Sequence, residues 1–200
     1  MPDEQSSHAE RTALKEWAVL CDAMARGEIV AMIRKGGIRE QRAGFSVRHD
    51  RFVLYPTFFH EKAAEMAPRL VHTLEASHRE QPPAGTIRIS LVAEVAAVWA
   101  VSSLEPLREI EAAHGLAWGA VESRFHYKGR PGVQVVAVRV SRLPRPVELP
   151  EARRYQGCVS WVALDEGVDV TNARAAIGDE EFTGRIARLR DALGEPVREP

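Results

Sequence analysis

Apolar positions along this chain follow two rhythms, one of three to four residues and one of two. Leu14, Trp17, Ala18, Cys21, Met24 and Ala25 fall three or four apart, and Ser7 with Glu10 has capping-box spacing. That pattern predicts an amphipathic helix closed by Gly27. Ile29–Ile33 reads as a short buried strand, after which Gly36-Gly37 permits a tight reversal. Two antiparallel strands are expected next, around Ile38–Val47 and Phe52–Tyr55, joined by a turn at Arg48–Arg51. Pro56 stops the second, and Thr57 can cap a helix over Phe58–Ser77 that Pro68 must kink or divide.

Gln81-Pro82-Pro83-Ala84-Gly85 has the composition of a linker. Beyond it Ile87, Ile89 and Leu91 alternate with polar residues, as in a half-buried strand. The run Leu91–Val101, broken by Glu94, suits a buried strand or helix. Ser103, Leu104, Leu107 and Ile110 suggest a helix ending at His114-Gly115. Val133–Val140, nearly all β-branched, is the strongest strand signal. Pro144, Pro146 and Pro150 then predict an extended, exposed connection. Cys158–Leu164 reads as a further strand, and Asp179 should cap a last helix closed by Gly194. The fold class is α+β or α/β, a mixed sheet flanked by helices. Residues 1–8 are expected to be disordered, 9–194 to form a single domain with 81–85 as the place for a subdomain break, and 195–200 to be a tail.

Composition narrows the class only a little. A chain of 200 residues, 45% hydrophobic and 28% charged, belongs with globular proteins and not with disordered or fibrous ones. No stretch approaches the roughly 20 apolar residues of a bilayer span, so no membrane partner is expected. The acidic start Met1–Gln5 lacks the features of a secretory signal, and two cysteines make no disulfide framework. A cytoplasmic setting follows from both.

Charge changes the picture more. The net value of −1 hides two basic segments. Arg34–Arg51 carries six cations (Arg34, Lys35, Arg39, Arg42, Arg48, Arg51) against Glu40 and Asp50. Arg124–Arg154 carries eight against Glu148 and Glu151, which leaves −11 on the rest of the chain. If the segments face one another they form a basic surface that attracts phosphates. Most of the cations are arginines, interleaved with Phe45, Phe52, Tyr55, Phe125, Tyr127 and Tyr155, a mixture used by RNA and single-strand surfaces. The solvated face of a sheet would show the same charge pattern. Arg34-Lys35-Gly36-Gly37 could cradle an anion with successive backbone N–H groups, although a hairpin turn also explains the glycines. His60 at a helix start could bind an anion or act as acid or base, or simply pair with Glu61.

The order helix, three strands, helix over the first 80 residues resembles the start of the PD-(D/E)xK nuclease core. Glu16 would then be the helix carboxylate, Glu40 a second one and Lys35 the catalytic cation, converging on Mg²⁺. The third strand carries no ExK, so only topology supports this reading. Cys158 would need an activating base to be a nucleophile, and a small buried hydrophobe is its plain role.

Leu14-Lys15-Glu16-Trp17-Ala18, Arg34-Lys35-Gly36-Gly37-Ile38 with Glu40, Phe52–Thr57 with His60, and Tyr155–Val162 come in that order. Together they resemble one uncharacterised bacterial family, domain of unknown function 1802. The resemblance runs from about Ala13 to Leu164. The chain departs from the family pattern at Glu61, where glutamine is usual, and at Ala117-Trp118-Gly119 near His114, where His-x-Trp-Ser is usual. The resemblance implies a whole-length single domain and no established reaction. It singles out Glu16, Arg34, Lys35, Glu40, His60, Arg124, Cys158, Ser160 and Trp161.

The leading expectation is a domain that binds a phosphate-bearing ligand, nucleic acid in particular. Arg34, Lys35 and Arg124 would sit on phosphates, with Gly36, Gly37, His60 and Ser160 beside them. Trp161 or Tyr155 would stack a base. The alternatives are a metal-dependent phosphodiesterase using Glu16, Glu40 and Lys35 with Mg²⁺, and an interaction module using Leu143–Pro150 as an exposed peptide.

Overall fold

A computed structural model describes residues 9–35, 46–59, 61–157 and 159–199. The expected features at 1–8, Gly36-Gly37, Ile38–Phe45, His60 and Cys158 lie outside these residues.

The chain opens with a strand where the apolar spacing predicts a helix. Strand β1 is Ala9–Trp17, and the helix α1 is confined to Ala18–Ala25. The three-to-four spacing of Leu14, Trp17, Ala18 and Cys21 straddles the junction between the two elements. In β1 burial tends to alternate, and its backbone pairs with a strand on each side. Those long-range hydrogen bonds outweigh a local preference worth a few tenths of a kcal/mol per residue. A strand therefore precedes the first helix, and Glu16 stands on that strand and not on the helix.

Strand β2 is Ala31–Arg34 and β3 is Arg51–Thr57, which runs on through Pro56. The long helix expected over Phe58–Ser77 is instead a 3₁₀ turn at Ala63–Glu65, α2 (Pro68–Val71) and α3 (Leu74–Arg79). Pro68 starts α2, where its missing N–H costs nothing. Strand β4 is Thr86–Val101, α4 is Glu105–Glu109 and α5 is Trp118–Phe125. Strand β5 runs from Val133 to Pro150 and therefore includes all three prolines. Register with β4 jumps from Leu91↔Arg142 to Ile89↔Val147, so Leu143–Pro146 face only Ser90. This bulge holds Pro144 and Pro146, which cannot donate to a ladder. Leu143 and Leu149 are buried, so Leu143–Pro150 is a sheet strand and not an exposed peptide. Strands β6 (Trp161–Asp169) and β7 (Arg174–Ala175) and helix α6 (Asp179–Leu193) complete the described chain. Helix α6 ends at Gly194, whose φ of 77° lies in the positive range that glycine adopts freely.

The seven described strands form one mixed sheet in the order β2-β5-β4-β3-β1-β6, with β7 beside β5. Only β1 and β3 run parallel; the other pairs are antiparallel. Each face carries its own core. Leu14, Phe52, Leu54 and Trp99 pack with the helices on one side. Ala13, Val53, Tyr55, Ile89 and Leu149 pack on the other. The sheet is also curled. Four strand spacings of ~4.8 Å would hold β2 and β1 about 19 Å apart if it were flat, yet Arg34 of β2 bonds to Glu16 of β1 at 3.1 Å. No helix among the described residues is long and apolar enough to cross a membrane.

Candidate functional site

The curl brings together the C-terminal ends of β1, β2 and β3. With α5 and the turn after it, they line a cleft of about 320 Å³. Alternation along β1 places Glu16 on the same side as Leu14, at the edge of the larger core, where it is 5% exposed. A carboxylate there must have partners. Glu16 Oε1 accepts the Trp17 N–H at 2.9 Å, and Oε2 accepts from Arg34 Nη1 at 3.1 Å. Arg34 also donates to the Lys15 carbonyl at 3.2 Å, and Thr57 Oγ1 donates to the Glu16 carbonyl at 3.1 Å.

The other cations of the cleft are held by carbonyls. Lys35 Nζ donates to the carbonyls of Phe125 (3.2 Å), Arg130 and Gly132. Arg124 donates to the Ile33 carbonyl at 2.9 Å and lies over the Trp17 ring at 5.3 Å. Lys15 Nζ donates to the carbonyls of Tyr155 and Gly157, the latter at 3.1 Å, and lies 5.3 Å from the Tyr55 ring centre. A carbonyl fixes the direction of a cation without cancelling its charge. Four cations thus face one carboxylate among the described lining residues, and Ser123, Tyr127, Thr57 and Ser160 add hydroxyl groups. Burial lowers the pKa of Arg124, an effect Glu16 opposes. Burial, and then Arg130, lowers that of Lys35.

Of the residues expected from sequence, Glu16, Arg34, Lys35, Arg124 and Ser160 share this cleft. Gly36, Gly37, Glu40 and His60 lie outside the described residues. Tyr155 is elsewhere: it is 2% exposed, sits in the second core and accepts the Asp165 N–H, so it has no face to offer a base. Trp161 packs edge-on against Phe52 and His49 and donates its indole N–H to the Ser46 carbonyl, away from the cleft lining. Among the described residues, the cleft takes Arg34, Lys35 and Arg124 from the two basic segments. Arg139 pairs with Asp179, Arg154 with Asp165 and Arg51 with Glu94, while Arg142 donates to the Ala25 carbonyl. Lys15, Thr57 and Ser123 were not expected at the site from the sequence: pairing of β1 with β3 sets Lys15 near Thr57, and the curl brings both to Ser123 of α5.

The two described members of the set expected for a nuclease, Glu16 and Lys35, share the cleft but are engaged by other partners. Glu16 is paired with Arg34, and Lys35 spends its three protons on carbonyls. Among the described residues no group of three or more His, Cys, Asp or Glu side chains could hold a metal ion. Lys35 is instead the anchor of the turn Phe125–Gly132, whose Lys128 has the left-handed φ of 56°. Lys35→Met should therefore speed amide hydrogen exchange across Phe125–Gly132 by at least tenfold, since hydrogen bonds to a charged group contribute about 1.5–3 kcal/mol. Unchanged exchange in that turn would show that Lys35 does not anchor it.

A second cavity, of about 850 Å³, adjoins the first and shares Lys15, Trp17 and Thr57 with it. Its walls include Phe58, Phe59, Pro82, Pro83, Ile87 and Pro146. Asp22, Glu80 and Glu151 bring carboxylates to it, against Lys15 and Arg88. Glu151 accepts the Tyr55 hydroxyl at 2.6 Å, and burial with Glu151 pushes the Tyr55 phenol well above its usual range. Burial also raises Asp22, with Ser77 and Arg26 opposing.

Among solved structures, the chain is similar to the crystal structure of a ZmASCH mutant protein from Zymomonas mobilis. The identity is 12% and the TM-score 0.38, over 90% of this chain and 98% of that one. No curated protein matches it. The family described as Domain of unknown function (DUF1802) matches residues 13–188, from the first residue pairing β1 with β3 to the last turns of α6, and the chain belongs to that family.

Proposed function

We propose that this domain binds a phosphate-bearing ligand, a nucleic acid, through the cleft between β1, β2 and α5. The observation that carries the reading is the convergence of Lys15, Arg34, Lys35 and Arg124 around a single carboxylate. Three of these cations are held by carbonyls and one by Glu16. They are oriented before any ligand arrives, so little side-chain entropy is left to lose on binding. Arginine suits the two oxygens of a phosphodiester, which its planar fork can grip together. The overall charge of −1 supports a confined anion site and not a broad polyanion surface. A reducing cytoplasm goes with this reading. Cys21 is a free, buried thiol whose pKa burial raises well above the usual range, which keeps it protonated and inert.

Fluorescence polarisation with a short labelled oligonucleotide tests the proposal. Affinity should fall with salt, with a log–log slope of roughly −0.7 for each phosphate contacted on a single strand. Arg124→Met and Lys15→Met should each weaken binding by about tenfold or more while circular dichroism shows the fold retained. Absence of binding at low ionic strength, or binding indifferent to both substitutions, overturns the reading.

A further inference from the structure

We infer that the site is bipartite and selects unpaired nucleotides: the phosphate lies in the cationic cleft, and a base enters the adjoining cavity beneath Phe59. This rests on the phosphate-binding reading above and adds the class of nucleic acid.

Charge sorts the two compartments. In the cleft cations outnumber carboxylates, whereas the cavity brings Asp22, Glu80 and Glu151 against Lys15 and Arg88. Arg88 is shared between Glu148 at 2.9 Å and Glu80 at 3.9 Å, so one cation serves two carboxylates. A phosphate is therefore repelled from the cavity and drawn to the cleft. The exocyclic amino groups of a base, which are hydrogen-bond donors, suit a carboxylate-bearing wall. Lys15, Trp17 and Thr57 form the boundary common to both, so one ligand can span it without leaving the protein surface.

Exposed aromatic surface points the same way. Phe59 is 76% exposed and Tyr127 is 38% exposed. Phe59 lines the cavity and Tyr127 the cleft. A phenyl ring left in water at the mouth of a proline-lined cavity is a stacking platform for any base, whatever its sequence. A duplex cannot use it, because its bases are stacked on one another and paired. A volume of about 850 Å³ gives an unpaired base ample room.

The test compares three probes of equal length: a labelled single strand, the same backbone without bases, and the matching duplex. Two variants are used, Phe59→Ala and Ala84→Trp. Ala84 is an exposed lining residue, so tryptophan there fills the cavity without entering either core. The single strand should bind roughly tenfold more tightly than the base-free backbone. Both variants should remove most of that difference and leave affinity for the base-free backbone unchanged. Equal binding of single strand and base-free backbone, equal binding of the duplex, or indifference to both variants overturns the bipartite site while leaving phosphate binding standing. Loss of all binding at low salt overturns both.

Discussion

Replacing Arg34 with methionine should destabilise the protein by about 3–5 kcal/mol, and replacing Glu16 with glutamine in the same chain should restore most of that. Glu16 is 5% exposed, and the Arg34 side chain is 12% exposed. Removing the cation leaves a buried carboxylate that keeps the Trp17 N–H as its hydrogen-bond donor, with the Arg124 charge offsetting it only in part. An uncompensated buried charge is among the largest single-residue penalties known, whereas deleting the pair together is often close to neutral. The glutamine still accepts from Trp17, so the double variant leaves no ion behind. For a domain of this size the single change should lower Tm by roughly 10 °C. Equilibrium urea unfolding of the four proteins in this cycle measures the coupling directly. A single variant within 1 kcal/mol of the parent would show that the pair is not buried in solution.

Stability should also fall as the solution is acidified from pH 6.5 to pH 4, through His114. This side chain is 1% exposed, and its Nδ1 accepts the Leu116 N–H at 3.2 Å. Burial pushes its pKa from 6.5 down to about 4, with Arg69 and Arg124 adding to the effect. In the unfolded chain the ring binds a proton more readily than in the fold. Its contribution is therefore complete above pH 6.5 and is lost progressively down to pH 4. The difference corresponds to about 3 kcal/mol. His114→Gln is the reference that subtracts every other pH-dependent contribution. The stability gap between parent and variant should close by about 3 kcal/mol between pH 7.5 and pH 4. Parallel pH profiles for the two proteins would rule out His114 as the titrating group.

Elements whose burial follows one period were legible in the sequence. Alternation marked Ile87–Leu91, β-branched content marked Val133–Val140, and Phe52–Tyr55 was read as a short strand; these lie in β4, β5 and β3. The three-to-four spacing, with glycine behind it, marked α6. Where two elements abut, the signal misled. A strand ending at Trp17 and a helix beginning at Ala18 place their apolar residues at spacings that mimic a single helix. Only the partners of β1, at residues 53–57 and 161–169, decide between the two. The prolines of β5 misled for a related reason, since a bulge opposite Ser90 accommodates residues that a regular ladder would exclude.

The site was legible to the extent that charge is. Arg34, Lys35 and Arg124 stood out as cations in dense basic segments, and Glu16 as a polar member of an apolar motif. Their division of labour was not visible. A lysine that holds a turn through three carbonyls and a lysine left in solvent look alike in one dimension. Tyr127, Tyr155 and Trp161 were likewise equivalent as letters, and burial alone separates the exposed ring at the cleft from the two packed elsewhere.

The curl that closes β2 onto β1 makes the cleft depend on strands that do not line it. In strand order residues 34 and 16 stand four strands apart, with β5, β4 and β3 between them, yet their side chains meet. The width of the cleft is therefore set by the curvature of β4 and β5, which contribute none of its described lining residues. A substitution that flattened either strand would part Arg34 from Glu16 while leaving every group of the cleft chemically intact.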